Sequence, residues 1–212
     1  MAKIAEKLKT FLDADQGTMM VEVVRARGST PREAGAYMLV SPTATLGTIG
    51  GGQLEFMAID RARQMLVEGD DGEATLDVPL GPEIGQCCGG RVEVLIRPVK
   101  DSLSRELVQA AQAEEARLPQ VYIFGGGHVG LALATALSLL PLRTTVVETR
   151  VDALQGMPAS VATTLTPVPE ETVRSAGAGA AFVVLTHDHA LDFLIVAEAL
   201  GRKDAAYVGM IG

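Results

Sequence analysis

Aromatic residues are scarce in this sequence: tryptophan is absent, and aromatic side chains make up 4% of the 212 residues, against 48% for hydrophobic residues as a whole. Such a composition favours the aliphatic core of a globular α/β protein. No apolar run approaches the ~20 residues of a membrane span. Residues 1–7 alternate charged and apolar side chains and lack the hydrophobic segment of a signal peptide. The sequence therefore predicts no membrane association.

Positive charge is also in short supply, with 18 Lys and Arg against 26 Asp and Glu and a formal net charge of −8. No run of basic residues concentrates the positive charge, so nucleic acid is not an expected partner. An anionic ligand would therefore have to be held by local backbone amides and helix N-termini.

Cysteine is limited to Cys87 and Cys88, which are adjacent and lie between Gly85 and the pair Gly89-Gly90. This spacing matches neither a C-x-x-C zinc clamp nor a thioredoxin-like redox pair. It is also a poor framework for disulfides, which favours a cytoplasmic location. Two interpretations remain. The segment is either a tight turn with a buried thiol, or a glycine-flanked loop that presents a thiolate to a soft metal or to sulfur.

The first half of the chain predicts an α+β domain with glycine-rich loops between short strands and helices. The loop Arg27–Arg32 separates two predicted strands, and Gly50–Gly52 joins a strand to a helix. Strands near 73–78 and 91–97 bracket the cysteine segment. We expect the three glycine-rich loops to converge at one end of this domain. The predicted buried stripe of the helix is Leu54, Met57, Ala58, Met65 and Leu66.

The second half predicts a Rossmann-type, doubly wound parallel sheet. A short apolar strand at 121–124 runs into a G-x-G-x-x-G loop that opens a helix, and an acidic residue, Glu148, ends the next strand. The glycines would allow a tight turn, approach of a pyrophosphate and close helix–strand packing, while Glu148 would accept a ribose hydroxyl. The alternative is a packing device that binds no nucleotide. The loop residues concerned are Gly125, Gly127, His128 and Gly130.

A second polar loop, Thr186–His189, follows the apolar strand 180–185. In the usual strand order this fourth strand lies beside the first, so His187 and His128 would face one crevice at the topological switch point. These histidines are candidate metal ligands, whereas Asp188 is equally a helix N-cap.

A helix over 101–116 ends at Pro119 and places the domain boundary between residues 98 and 119. We therefore predict a domain over 1–100, a linker helix over 101–118 and a Rossmann-like domain over 119–212. The chain ends just past a predicted strand, where a doubly wound sheet normally continues with a helix, so we expect this domain to be truncated at its C-terminus.

The motifs together resemble the XdhC/CoxI family of accessory factors for xanthine dehydrogenase and related molybdenum hydroxylases. The match extends over nearly the whole chain. The motifs that carry it are Arg27–Arg32, Gly35-Ala36, Gly47–Gly52 with Leu54-Glu55, Gly85–Gly90, Gly125–Gly130, Glu148 with Arg150, Thr186–Ala190 with Asp192, and Tyr207–Gly212.

This resemblance implies a chaperone rather than a turnover enzyme. Such a factor would bind molybdenum cofactor (molybdopterin), assist its sulfuration with sulfur from a cysteine desulfurase, and deliver it to a xanthine dehydrogenase-type hydroxylase, commonly as a homodimer. Gln86, Cys87 and Cys88 become the candidates for molybdenum or sulfur contact. The Rossmann crevice could hold a nucleotide.

The chemistry of the cofactor agrees with several other residues. Its phosphate would suit the amides of Gly50–Gly52 and bidentate contacts from Arg27 and Arg32. Both arginines could equally be structural salt-bridge partners, and Glu55, also a candidate contact, could be only a first-turn helix acid. The competing functions are an NAD(P)-dependent oxidoreductase, which the Rossmann half alone suggests, and a thiol or persulfide carrier without cofactor.

Overall fold

The structure is a computed structural model that describes residues 4–14, 17–82 and 89–211. The chain divides into two compact units: residues 6–109, here the N-terminal unit, and residues 110–212 with the first five residues, here the C-terminal unit. Helix α3 (Asp101–Arg117) runs across this division.

The N-terminal unit is an antiparallel sheet covered by a long helix. Its five strands are ordered β3-β2-β1-β5-β4, so the long strand β1 is central. The elements are α1 (Ile4–Leu12), β1 (Met19–Arg27), β2 (Tyr37–Val40), β3 (Thr45–Gly47), α2 (Gly52–Glu68), β4 (Ala74–Pro79) and β5 (Arg91–Pro98).

Helix α2 buries a narrow apolar stripe against this sheet. Leu54, Ala58, Ala62 and Met65 recur every three or four residues and are fully buried. The sequence also placed Met57 in this stripe, but Met57 is 37% exposed because it lies at the edge of the stripe, on the side of Leu54 away from Ala58. Gly69, at φ 64°, ends the helix in the left-handed conformation that favours glycine.

The C-terminal unit is the predicted doubly wound parallel sheet, with strand order β10-β9-β6-β7-β8. Strand β9 pairs in parallel with β6, so the expected neighbour relation at the switch point is confirmed. The elements are β6 (Gln120–Phe124), α4 (His128–Leu137), β7 (Arg143–Glu148), a 3-10 turn (Asp152–Leu154), β8 (Ala162–Leu165), α5 (Pro169–Ser175), β9 (Ala181–Val184), α6 (His189–Gly201) and β10 (Tyr207–Met210).

Two hydrophobic clusters cover the two faces of this sheet. Alternate strand residues point to opposite faces, so Ile123 packs towards α4 whereas Phe124 packs towards α5 and α6. Among the helices of the described part of the chain, none has both the length and the hydropathy that a membrane span requires.

Phe182 is the aromatic centre of the second cluster. It is fully buried, stacks on Tyr122 with ring centroids 5.8 Å apart, and lies beneath the Arg202 guanidinium at 5.8 Å. We expect Phe182→Ala to lower the free energy of unfolding by about 3–5 kcal/mol, because a large buried ring is lost and a cavity remains. Phe193, which is 64% exposed, is the matched control. Denaturant unfolding should show a loss below about 1 kcal/mol for Phe193→Ala, and equal losses for the two variants would contradict the packing described here.

Candidate functional site

Glycine-rich loops meet at one end of the N-terminal unit. A Cβ atom on Gly90 would overlap the carbonyl oxygen of Ser29 and would lie 2.7 Å from that of Arg27. A Cβ atom on Gly50 would lie 2.5 Å from Cγ of Pro31. Both glycines are therefore required by close approach to the loop that follows β1, and the described parts of the three loops converge as predicted.

Two backbone hydrogen bonds join Leu80, which precedes the cysteine segment, to Gly89 and Gly90 at its end. The amide of Gly89 donates to the carbonyl oxygen of Leu80 at 2.6 Å, and the amide of Leu80 donates to that of Gly90 at 2.8 Å. Gln86, Cys87 and Cys88 themselves lie outside the described residues, so their assignment stays a prediction. Within the ranges that the structure describes, no group of three His, Cys, Asp or Glu side chains could hold a metal ion.

Two of the arginines near this cluster hold structural ion pairs. On β5, Arg91 binds Asp77 through two contacts of 2.7 Å, and this hydrogen bond lowers the pKa of Asp77. Arg25 lies 3.1 Å from Glu93. Among the described residues, Arg27 and Arg32 have no such ion pair. Both are exposed, and the charge of Arg27 also contributes to lowering the pKa of Asp77.

Glu55, in the first turn of α2, accepts hydrogen bonds from the glycine-rich loop that precedes this helix. Its Oε2 accepts hydrogen bonds from the hydroxyl of Thr48 at 2.5 Å, the amide of Gly51 at 3.0 Å and the amide of Ile49 at 3.1 Å. The amide of Gly50 donates to Thr48 Oγ1 at 3.1 Å. Amides that the sequence assigned to a ligand anion are thus directed to groups of the loop itself, and Glu55 is more than a first-turn acid.

Left-handed backbone explains why this turn is glycine. Gly50, Gly51 and Gly52 have φ values of 124°, 74° and 66°, which side-chain-bearing residues rarely adopt. A Cβ atom on Gly51 would meet nothing within 4 Å, so its side is open. Their role toward a cofactor stays a prediction.

In the C-terminal unit, the glycines of the G-x-G-x-x-G loop differ in why glycine is required at each position. Gly125 has φ 114°, and its Cβ would overlap the carbonyl oxygen of Leu185. A Cβ on Gly130 would overlap the carbonyl oxygen of Gly125, which is the close helix–strand contact expected of the third glycine. Gly127 differs, because it has φ −64° and nothing within 4 Å of the added Cβ. The protein's own packing does not require glycine there.

Glu148 fixes the same loop from the end of β7. Only 4% exposed, it accepts hydrogen bonds from the amides of Gly126 and Thr149, both at 2.8 Å, and from that of Arg150 at 3.1 Å. Burial acts to raise the pKa of Glu148, but the backbone hydrogen bonds outweigh it and the pKa is lowered. Through the hydrogen bond from the amide of Gly126, Glu148 stabilises the loop before α4. Its predicted contact with a ribose hydroxyl is untested.

The polar loop after β9 lies directly beside this turn, since Gly125 approaches both Leu185 and Thr186. Asp188 caps α6 by accepting from the amides of Ala190 at 2.8 Å and Leu191 at 3.4 Å, as its N-cap interpretation predicted. The candidate histidines His128 and His187 are exposed, at the start of α4 and in the loop before α6.

Sequence reasoning gave no site role to Asp192, a carboxylate on the inner face of α6. It is 1% exposed, and its Oδ1 accepts from the hydroxyl and the amide of Thr186, at 2.7 and 3.0 Å. The signal in the sequence was an acidic residue within the apolar run of α6. Hydrophobic periodicity did not show that this residue lies on the buried face, because α6 is apolar on most of its sides.

Comparisons with known proteins match both units. A model described as the XdhC and CoxI family matches residues 11–78, and one described as the XdhC Rossmann domain matches residues 121–212. The chain belongs to the XdhC/CoxI family.

Two relatives define how far this family likeness extends. The uncharacterized protein YqeB of Escherichia coli is 28% identical over 123 residues, which are 57% of this chain and 20% of that protein. The chain thus spans about a fifth of the length of this curated relative. A Bacillus halodurans protein, described as a xanthine dehydrogenase, shares 19% identity with a TM-score of 0.77 over 100% of this chain and 82% of its own. At this identity the likeness shows the fold.

The contrast between Gly130 and Gly127 can be measured. We expect Gly130→Ala to lower the free energy of unfolding by about 1–3 kcal/mol or more, because the new methyl group meets backbone that cannot move aside. Gly127→Ala should change it by less than about 1 kcal/mol. Denaturant unfolding of the two variants tests this, and an equal loss for both would show that Gly127 also serves packing.

The hydrogen bonds to Glu148 predict that the free energy of unfolding depends on pH. Because its folded pKa lies below the ordinary 4.5, its ionised form stabilises the fold above that pH, and this stabilisation is lost as the pH falls through the folded pKa. We expect Glu148→Gln to cost about 1–3 kcal/mol at pH 7 and progressively less under acid conditions. Unfolding measured from pH 7 to pH 3 should show this convergence, whereas the exposed control Glu171→Gln should not.

Proposed function

We propose that this chain is an accessory factor that binds molybdenum cofactor, assists its sulfuration and delivers it to a xanthine dehydrogenase-type hydroxylase. The single observation that supports this most is the meeting of the three glycine-rich loops in the N-terminal unit. It brings the base of the cysteine segment, at Gly89 and Gly90, against the loop that carries Arg27 and Arg32. Family membership and the description of the Bacillus halodurans relative point in the same direction.

The residues present fit the chemistry of such a ligand. Molybdenum cofactor is a pterin dithiolene that ends in a phosphate, and when bound it supplies the metal centre whose oxo ligand is exchanged for sulfur. Arg27 and Arg32, unpaired among the described residues, offer planar donors that suit a phosphate. The adjacent thiols of Cys87 and Cys88 supply the soft atoms that molybdenum and sulfur favour. Gln86 adds an amide beside them.

The partners follow from this assignment. A cysteine desulfurase would provide the sulfur, and the hydroxylase would accept the completed cofactor, while the factor works as a homodimer. A nucleotide or another phosphate-bearing group in the crevice of the C-terminal unit would belong to the same role. The net charge of −8 makes local arginines, rather than the whole surface, the attraction for the anion.

An NAD(P)-dependent oxidoreductase is the second candidate, and one observation favours it. Gly127 leaves open space at the start of α4, where no side chain caps the helix. Against it, both carboxylate oxygens of Glu148 are occupied by backbone amides of its own unit, although this acid would be expected at the ribose.

Cofactor retention tests the proposal. The full chain is purified from cells that make the cofactor, and molybdenum and released pterin are measured per protomer. Arg32→Ala should retain roughly tenfold less cofactor, because one charge-assisted hydrogen-bond pair is lost. Cys87→Ala and Cys88→Ala are compared for retention and for sulfuration of the hydroxylase. Arg105→Ala, an exposed arginine on α3, removes the same charge elsewhere and should retain cofactor normally.

Equal cofactor in the wild type, Arg32→Ala and both cysteine variants, with equal sulfuration, would overturn the assignment to these loops. Saturable nicotinamide binding that Gly127→Ala weakens, in a protein free of molybdenum and pterin, would instead support the oxidoreductase.

A further inference from the structure

A cavity of about 610 Å³ lies at the amino ends of β7 and β8 in the C-terminal unit. Its walls are the last turn of α3, the start of β7 and the segment that leads into β8, so all of its lining residues belong to this one unit. Sites that hold small molecules in proteins have volumes of roughly 300–1,000 Å³. The cavity therefore has the size of a ligand site.

This cavity is separate from the crevice at the carboxyl ends of the strands. Arg143, which lines the cavity, is the first residue of β7, and Glu148, which accepts from the amide of Gly126, is the last. A strand rises about 3.3 Å per residue, so roughly 16 Å of strand separate the two ends. A ligand in the cavity would leave the G-x-G-x-x-G loop untouched.

Two side chains of opposite charge line the cavity without pairing with each other. Glu115 comes from the last turn of α3 and Arg143 from the start of β7, and among the described residues no ion pair joins them. Oε1 of Glu115 accepts from the amide of Ala5 at 2.9 Å, which holds the carboxylate in place. Two opposite charges that share one cavity and do not neutralise each other fit a ligand that carries both signs.

A hydroxyl group in the same wall is buried without a partner. Thr144 lines the cavity and is 4% exposed, and within the described part of the chain its Oγ1 makes no hydrogen bond. Buried polar atoms are nearly always paired, because an unmet one costs free energy. Since the folded unit supplies no partner for this hydroxyl, a ligand in the cavity is the available one.

Much of the remaining lining is aliphatic. Ala116 and Leu118 contribute from the end of α3 and Val161 from the segment before β8, and none of the described lining residues is aromatic. A nucleobase or a pterin ring would thus find no side chain on which to stack. A single guanidinium beside a carboxylate is also a poor seat for a phosphate. The lining favours an aliphatic molecule with one charged group of each sign.

We propose that this cavity binds a short zwitterionic peptide with small aliphatic side chains. Arg143 donates to the terminal carboxylate of the peptide, and Glu115 accepts from its ammonium group. The hydroxyl of Thr144 turns to the same carboxylate and gains the partner that it lacks in the free chain. A free amino acid would leave most of the cavity empty, whereas an extended tripeptide, roughly 10 Å long, fills it better.

Binding of trialanine to the full chain tests this proposal. Isothermal titration calorimetry should show saturable binding at one site, and the amide resonances of Ser160 and Val161, which line the cavity, should shift. Two further probes each lack one charge: N-acetyl-trialanine has no ammonium group, and trialanine amide has no carboxylate. Each should bind roughly tenfold more weakly than trialanine, because one charge-assisted hydrogen bond is lost.

Charge-removing variants identify which residue meets which end of the peptide. Arg143→Gln should weaken trialanine binding roughly tenfold and leave the affinity for trialanine amide unchanged. Glu115→Gln, whose side-chain oxygen can still accept from Ala5, should act in the same way on the ammonium group, with N-acetyl-trialanine unaffected. Arg117→Gln and Glu114→Gln are the matched controls, since both residues are exposed near the end of α3 and lie outside the cavity lining.

Thr144→Val separates binding from folding. The variant removes a hydroxyl that has no partner in the free chain, so thermal melting should show no loss of stability, while trialanine binding should weaken several-fold. A loss of stability with unchanged binding would contradict the role given to this hydroxyl.

Three results would overturn the inference as a whole: no saturable binding of trialanine, equal affinity for all three probes, or equal losses of affinity in Arg143→Gln and Arg117→Gln. The inference does not rest on molybdenum binding by the N-terminal loops, and cofactor retention is measured separately, so the two proposals fail independently.

Discussion

Carboxylates that accept hydrogen bonds from the loops after strands hold the candidate sites of both units in place. Glu55 accepts hydrogen bonds from the hydroxyl of Thr48 and from two amides ahead of α2. Glu148 accepts from the amide of Gly126 in the turn before α4 and from two amides directly after β7, and Asp192 accepts from both donors of Thr186. Loops of glycine lose much conformational entropy on folding. The hydrogen bonds to the carboxylate offset part of that entropic cost and stabilise a single conformation of each loop.

This design has a consequence for binding. A carboxylate of the protein that accepts hydrogen bonds from loop amides leaves fewer of these amides to bind an anionic ligand. A glycine-rich loop at the start of a helix is therefore not by itself an anion site. At Gly51 the amide donates to Glu55, whereas α4 has no side-chain cap and Gly127 leaves room beside it. The two units therefore differ: arginines are exposed in the first, whereas in the second α4 begins without a side-chain cap and with the exposed His128.

The secondary structure was largely readable from local pattern. The apolar strand at 180–185, the glycine turn at Gly125–Gly130 and the stripe of α2 follow from periodicity and turn chemistry, and the parallel sheet follows from their alternation. Met57 was placed wrongly because residues at the edge of a helical stripe are buried or exposed according to what lies opposite them. The roles of the cysteine segment stay predictions, since that segment lies outside the described residues.

By itself, then, the sequence determined which residue types stand at each bend: glycines at Gly90 and Gly125, acids at Glu55 and Glu148, and arginines at the end of β1 and in the loop after it. Only the tertiary structure decided what each one touches. Gly90 is required by the carbonyl oxygen of Ser29, 61 residues earlier in the chain, and Glu148 turns to the backbone of Gly126 rather than outward. Such contacts depend on how strands pair and where their ends meet, which no local pattern encodes. The orphaned oxygen of Asp192 is visible only once its surroundings are folded around it.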